Sequence, residues 1–310
     1  MASPLIALTG ATGFIGRYLV RELPRRGYRV QILLRRPGEV PPEASSAVIG
    51  DIAAPQNMSA ALRGVDMLIH SAGLAHAMTG RPEDDYRAIN TEATVNLARA
   101  AERAKIKRFV FLSSIRAQSG PTADGVLTED QEPAPTDAYG RSKLEAERGL
   151  AEVGLDWVAL RPVLVYGPGV KGNMASLLDL VRRPVPLPFG RLTAKRSILA
   201  LENLAAAVDA VLRWPEPIRR PLIVTDPEPL TVGEMVAAMR EGLGRGPGLL
   251  PVPSGLLQFG ARLAGKEEAF QRLSGSLVAS PDALKRYGWQ PEVTSREGLA
   301  RLAGSATSGG

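Results

Sequence analysis

"LTGATGFIG", residues 8–16, sets three glycines three positions apart, at Gly10, Gly13 and Gly16. A glycine inside a strand or helix costs stability, so each one needs a local reason. The flanks supply it. "LIAL" (Leu5–Leu8) is a short apolar run that reads as a buried strand. After the glycines, Phe14, Ile15, Tyr18, Leu19 and Leu23 fall near helical spacing, and Arg25, Arg26 and Gly27 make a good helix end. "YRVQILL" (Tyr28–Leu34) resumes as a second strand. Strand, glycine turn, helix and strand form one βαβ unit, whose turn lets the backbone approach a pyrophosphate at the helix N-terminus. A glycine turn of structural use alone is the alternative, and the strand before it and helix after it weigh against that reading.

The 310 residues allow one large or two small domains. Hydrophobic residues make up 45% and aromatics only 5%, so the core must be built mainly of Leu, Val, Ile and Ala. With no Cys there is no disulfide, thiolate metal site or cysteine nucleophile, and with only His70 and His76 a His-rich metal site is not expected. No basic leader is expected before the first strand, and no run reaches the ~18 apolar residues of a membrane span. A cytoplasmic protein without an integral membrane segment is expected. The net charge of +6 is not gathered into long Lys/Arg blocks or interleaved with aromatics. It reads as a basic surface with some charge serving anionic ligands such as nucleotide phosphates, and not as a nucleic-acid face.

Further strand-like runs lie at Ala47–Ile49, Met67–His70, Phe109–Leu112 and Trp157–Leu160, with helical patterns at Tyr86–Ala104 and Tyr139–Gly154. The alternation predicts an α/β fold: a Rossmann-type, doubly wound parallel sheet with helices on both faces. Beyond Tyr166, prolines from Pro184 to Pro229 break the chain into shorter pieces. Helices are predicted at Asn173–Val181, Leu201–Leu212, Thr231–Leu243 and Pro281–Tyr287, in a smaller substrate domain without a second regular sheet. The organisation expected is a dinucleotide-binding domain over 1–165, with 197–225 returning to it. A substrate domain over 166–196 and 226–303 and a disordered tail at 304–310 complete it. "VPSGLLQFGARLAGK" (Val252–Lys266) is apolar on both sides of a helix and suggests buried packing or a flap over a ligand.

Two stretches carry chemistry. In "AYGRSK" (Ala138–Lys143), Tyr139 and Lys143 share one helix face. A free phenol has a pKa of about 10, and bringing it near neutrality takes roughly 3 units, about 4 kcal/mol, which an ammonium and a cationic nicotinamide could supply. Alone, that spacing is also an ordinary helix start. However, "FVFLSSIRA" ends a strand at Ser113 and Ser114, where ligands bind in open α/β sheets, and a Ser there can hold the oxygen that Tyr139 protonates.

With these motifs together, the sequence resembles the extended short-chain dehydrogenases/reductases, the NAD(P)-dependent epimerase/dehydratase family, and in particular those acting on nucleotide sugars. "TGATGFIG" is similar to their TGxxGxxG turn, which implies that Gly10, Thr12, Gly13, Phe14, Ile15 and Gly16 hold the cofactor. Asp51, with Ile52 beside it, resembles their adenine-contacting acid. "HSAGLAH" (His70–His76) resembles the stretch along cofactor and substrate, implying Ser71, Ala72 and Gly73 for the first and Leu74 and His76 for the second. Asn90 matches their structural Asn, and Ser114, Tyr139 and Lys143 match the catalytic triad. "RPVLVYGPG" (Arg161–Gly169) puts Pro162 and Val163 near the nicotinamide. Arg196 resembles the Arg that grips the diphosphate, and "LKRYGWQP" (Leu284–Pro291) resembles the family's C-terminal ending. The resemblance runs over nearly the whole chain. One departure is Leu164, where many such epimerases carry Asn, so that substrate contact is missing or moved, with Asn173 the candidate.

The implied reaction is hydride transfer at C4 of a nucleotide-activated sugar, a UDP-hexose or UDP-N-acetylhexosamine, by a 4-epimerase or 4-keto reductase. A homodimer and no metal are expected. An NAD site usually places an acid at the end of the second strand. Here Leu34 stands there, followed by Arg35 and Arg36, which suit a 2′-phosphate, so NADP is preferred with NAD as the alternative. A reductase of hydrophobic ketones, steroid- or flavonoid-like, shares the triad. A non-catalytic dinucleotide-binding protein is disfavoured by its completeness.

Overall fold

The computed structural model describes residues 3–54, 57–74, 81–263, 265, 267, 270 and 274–305. In chain order its first half runs β1 (Leu5–Thr9), α1 (Phe14–Arg25), β2 (Arg29–Leu34), β3 (Ala44–Val48), β4 (Met67–His70), α2 (Glu83–Tyr86), a π-helical segment (Arg87–Glu92), α3 (Ala93–Arg103), β5 (Arg108–Leu112), a 3₁₀ turn (Ile115–Ala117), β6 (Val126–Leu127) and α4 (Ala138–Ala151). There follow β7 (Trp157–Pro162), β8 (Leu164–Tyr166), α5 (Asn173–Arg182), β9 (Lys195–Arg196), β10 (Ile198–Ala200), α6 (Leu201–Arg213), β11 (Arg220–Val224), β12 (Leu230–Thr231), α7 (Val232–Gly242), α8 (Ser254–Leu263), β13 (Val278–Ala279) and two further helices, Asp282–Lys285 and Ser295–Ser305.

Seven strands form one sheet in the order β11-β7-β5-β4-β1-β2-β3, every pair parallel. Parallel neighbours need crossover helices, which cover both faces of the sheet, so its strands are buried on both sides. β5, "RFVFL", is buried at every position. Side chains alternate between the faces with period 2. Ile6, Leu8, Ile69, Val110, Leu112 and Leu160 join one core with α1 and α6, whereas Ala7, Leu68, Phe109, Phe111 and Ala159 join the other with α3 and α4. This is the Rossmann-type, doubly wound α/β architecture.

The strand order reverses between β1 and β4, which opens a crevice at their C-terminal ends, where ligands bind in such sheets. The glycine turn sits there. Gly10 has φ +72°, and a Cβ on it would lie 2.5 Å from the backbone of Ser71 and Ala72. A Cβ on Gly16 would lie 2.1 Å from the Gly10 carbonyl, so only glycine lets α1 pack this tightly under the turn.

After β7 the regular sheet gives way to two-stranded pairs, β8 with β10 and β9 with β12, while β11 returns to the edge of the main sheet. A third core of Tyr166, Met174, Val181, Ile198, Met235, Val236 and Leu299 packs the later helices together. α7 opens on a capping box, Thr231 with Glu234, that the sequence carries as "TVGE".

Three expectations are corrected. The strand sought at Ala47–Ile49 starts earlier, at Ala44, because β3 is an edge strand whose small and polar residues face solvent and give no apolar signal. Gly304 and Ser305 belong to the last helix and not to a tail, because the buried Leu302 and Ala303 hold its end down; residues 306–310 lie outside the described residues. Buried packing of "VPSGLLQFGARLAGK" is not found. Leu256, Phe259 and Leu263 on α8 are 65%, 63% and 75% exposed, and Ala264 and Lys266 lie outside the described residues.

Candidate active site

Both halves of the triad arise from local rules. β5 ends at Leu112, and the chain turns at Ser114, whose Oγ caps the 3₁₀ turn by accepting from the Arg116 N–H at 3.1 Å. α4 begins at Ala138 because Asp137 caps it, its Oδ1 accepting from the Gly140 N–H at 2.7 Å. Tyr139 and Lys143 then project from the first turns of α4 on one face. The turn and the helix are tied together by an ion pair between Arg116 and the second oxygen of Asp137. Arg116 and Asp137 were not read from the sequence, although the Asp-x-x-Gly spacing of a cap was present.

Ser114 and Tyr139 share a hydrogen bond. Burial holds the Tyr139 phenol above the ordinary tyrosine range, with Asp137 adding to the rise, while the Ser114 bond and the Arg116 guanidinium pull it down. The Lys143 ammonium points into the protein. It donates to the Leu112 carbonyl at 3.0 Å and lies 4.5 Å above the centre of the Phe111 ring. Burial brings Lys143 down to about 8, and the Glu147 carboxylate resists that.

A second chain of bonds braces the other wall of the crevice. Thr94 Oγ1 donates to the Asn90 carbonyl at 2.7 Å, so it can only accept from His70 Nε2, 3.0 Å away. His70 Nδ1 then accepts from Thr9 Oγ1 at 2.7 Å, and Thr9 Oγ1 in turn accepts from the Ser71 and Ala72 N–H groups. Directions throughout assign the neutral Nε2–H tautomer. Burial, and secondarily the charge of Lys143, push His70 down to about 3, in agreement. Asn90, fully buried in the π-helical segment, holds Leu74 by both its N–H and its carbonyl and also donates to Ser142. A π-segment inserts an extra residue into a helix and is frequent at functional sites. Sequence reading named His70 and Asn90 but gave no role to Thr9, the first residue of the TGxxGxxG turn, or to Thr94, which looks like an unremarkable helix residue.

The residues expected to hold a dinucleotide fit one. α1 has no side-chain cap and no acid in its first turn, so its N-terminal N–H groups and dipole face the glycine turn unopposed by an anion. Thr12 and Gly13 are exposed there, with Phe14 and Ile15 half-buried beside them. Pro162 and Val163 close the end of β7. At the far end Arg35 and Arg36 are exposed just after β2, and Arg35 Nη1 lies 3.9 Å from Asp51 Oδ2, with Ile52 half-buried. Arg196 on β9 is half-buried, its Nη1 3.5 Å from the Pro121 carbonyl, and burial lowers its pKa. Asn173 is the exposed first residue of α5. His76 lies outside the described residues. Among the described residues no cluster of three metal-binding side chains occurs, and no helix is long and apolar enough to cross a membrane.

Residues 6–225 match the family described as NAD dependent epimerase/dehydratase. The chain belongs to the NAD-dependent epimerase/dehydratase family. This family member is similar along nearly its whole length to the UDP-glucose 4-epimerase of Vibrio cholerae, 35% identical over 309 residues, which is 96% of this chain and 94% of that protein. It is also 30% identical over 264 residues to a ceramide reductase of Caulobacter vibrioides, covering 84% of this chain and 77% of that protein. Among solved structures, MoeE5 in complex with UDP-glucose and NAD superposes with a TM-score of 0.74 at 27% identity, covering 98% of this chain and 99% of the other. The epimerase/dehydratase assignment makes the protein an enzyme of the extended short-chain dehydrogenase/reductase type.

Proposed function

We propose that the protein interconverts C4 epimers of a nucleotide-activated sugar, a UDP-hexose or UDP-N-acetylhexosamine. One observation carries the reading. A hydrogen-bonded Ser114–Tyr139 pair with Lys143 beside it stands at the C-terminal edge of the sheet, in a chain 35% identical to a UDP-glucose 4-epimerase across 96% of its length. Bound NAD(P) would supply the redox chemistry, taking up hydride from C4 and returning it. Tyr139 accepts the O4 proton as the C4–H bond breaks and gives it back when the 4-keto sugar is reduced on its other face. Ser114 holds O4 by its hydroxyl. Lys143 offers an ammonium to the nicotinamide ribose and favours the phenolate once the crevice is filled. Residues Gly10–Gly16, Ser71–Gly73, Pro162 and Val163 would hold the dinucleotide. Leu74 and His76, with Asn173 and Arg196, would face the sugar nucleotide, Arg196 toward its diphosphate. Residues 1–165 with 197–225 would form the dinucleotide-binding domain and 166–196 with 226–303 the substrate domain, in a homodimer.

A second reading, NADPH-dependent 4-keto reduction, is favoured by Leu34-Arg35-Arg36 at the end of β2. Incubation with UDP-glucose, UDP-galactose and their N-acetylhexosamine counterparts tests the first. Interconversion without added cofactor, or with NAD alone, supports epimerisation. Turnover only of a 4-keto sugar with consumption of NADPH supports reduction. Absence of both, with activity on an apolar ketone, overturns the nucleotide-sugar assignment.

A further inference from the structure

Beneath the Ser114–Tyr139–Lys143 cluster lies an ion pair that its chemistry does not use. Arg161 is 2% exposed and Glu147 4%. Arg161 Nε donates to both carboxylate oxygens at 3.1 and 3.2 Å, and Nη2 donates to Oε2. The third nitrogen, Nη1, donates to Gln118 Oε1, and Gln118 donates to the Gln131 carbonyl at 2.9 Å. The Ser113 hydroxyl donates to Glu147 Oε1.

Each member is a near neighbour in sequence of a group already placed in the site. Ser113 precedes Ser114 at the end of β5. Arg161 precedes Pro162 on β7. Glu147 lies one helical turn beyond Lys143 and two beyond Tyr139 on α4. The pair therefore joins the end of β5 and α4, which carry the cluster, to β7, which carries Pro162. Stability alone is a poor reason for it. Burying two charges costs desolvation, and replacing such a pair with apolar side chains of similar volume is often neutral or stabilising. What an apolar pair could not supply is direction and charge. The groups around the Lys143 ammonium are the neutral His70 from β4 and the Gly73 backbone after it, the Phe111 ring and Leu112 carbonyl from β5, and Glu147 from its own helix, with Arg161 reached across Glu147.

We propose that Glu147 and Arg161 are positioning residues, which fix Ser114, Tyr139 and Pro162 relative to one another and set a carboxylate one helical turn from Lys143. The proposal rests on the assignment of Ser114, Tyr139 and Lys143 as the site. Burial draws Lys143 down to about 8 and Glu147 opposes it, so loss of the carboxylate should let it fall further.

The test compares wild type, Glu147→Gln, Arg161→Met and the double variant Glu147→Leu/Arg161→Met. Thermal unfolding, turnover of UDP-glucose, and the titration of Lys143 in ¹³Cε-lysine NMR are measured, with Lys143→Arg as the assignment control. Each single variant should lose stability, because it leaves one charge buried and unpaired. The double variant should recover most of that stability yet keep a turnover at least ~10-fold below wild type at unchanged KM. Its Lys143 midpoint should fall, carrying the basic limb of the rate profile to lower pH. A double variant with wild-type turnover and an unmoved Lys143 midpoint would overturn the proposal and leave the pair a packing device. If the double variant does not fold, Ser113→Ala decides: kcat should fall several-fold with KM and melting temperature nearly unchanged, and an unchanged kcat overturns the positioning role. If wild type turns over no UDP-sugar, the proposed function fails, but the Lys143 titration still reads the inference, since it needs neither substrate nor cofactor.

Discussion

The two ends of the crevice are built on opposite principles. At the triad end Ser114, Lys143, His70 and Asn90 are buried, and two chains of bonds hold the walls, one through Arg116 and Asp137 and the other through Thr9, His70 and Thr94. At the opposite end Arg35 and Asp51 are 66% and 55% exposed and 3.9 Å apart. In a buried setting a hydrogen bond or charge acts through a low dielectric and a lost partner is expensive; at the surface the same charge is screened. The difference teaches that the buried end should govern rate and acid stability, while the open end should govern which ligand binds, with little effect on folding.

The sharpest way to break the comparison is Tyr139→Phe. It should keep fold and dinucleotide affinity but lose ~10²–10⁴ in turnover, the scale of a removed general acid/base. Steady-state kinetics alongside a melting curve checks both, and near-normal turnover would remove Tyr139 from the mechanism.

Next is the acid response of His70. Its folded-state pKa of about 3 lies below the ordinary value of 6.5. Below pH ~6.5 the unfolded chain therefore binds a proton that the folded one refuses. The stabilisation is complete above that pH and is lost as pH falls toward 3, on the order of 5 kcal/mol in all. Urea titrations at a series of pH values should show this loss in wild type and a flatter profile in His70→Asn. Parallel profiles would mean that His70 charges without disturbing its two threonine partners.

On the open side the effects are smaller. Arg196→Ala should raise KM for a UDP-sugar ~10-fold while leaving kcat near wild type, because a charge-assisted bond to diphosphate acts equally in ground and transition states. Unchanged UDP affinity by calorimetry would shift weight to an apolar-ketone substrate. Smallest is Arg35→Ala. If NADPH binds more tightly than NADH, this substitution should remove most of that preference, ~10-fold at most, and alter stability by less than ~0.5 kcal/mol. Equal wild-type affinities would favour NAD and a reaction with no net redox change.

Spacing rules made much of the triad end legible. Tyr139 and Lys143 share a helix face because four residues make about one turn, and Ser114 follows an apolar strand, so each could be named before any contact was known. Arg116 and Asp137, by contrast, are separated by 20 intervening positions and meet only because a 3₁₀ turn and a helix cap face each other, a relation no local pattern encodes. Lys143 shows the same limit. Its spacing suggested a cation acting directly on Tyr139, yet its ammonium points to Leu112 and Phe111.

The sequence by itself determined the βαβ start, the parallel sheet and the residue types of the candidate site. These depend on periodicity, on glycines that nothing else can replace at Gly10 and Gly16, and on motifs confined to a few consecutive residues. Only the tertiary structure decided the tautomer of His70, the Glu147–Arg161 pair, and the exposure of Leu256, Phe259 and Leu263 on a helix that reads as core or as a flap. Each of these depends on which segments distant in the chain come to lie side by side, and burial, which sets the strength of every charge in the site, is a property of that assembly and not of any one stretch.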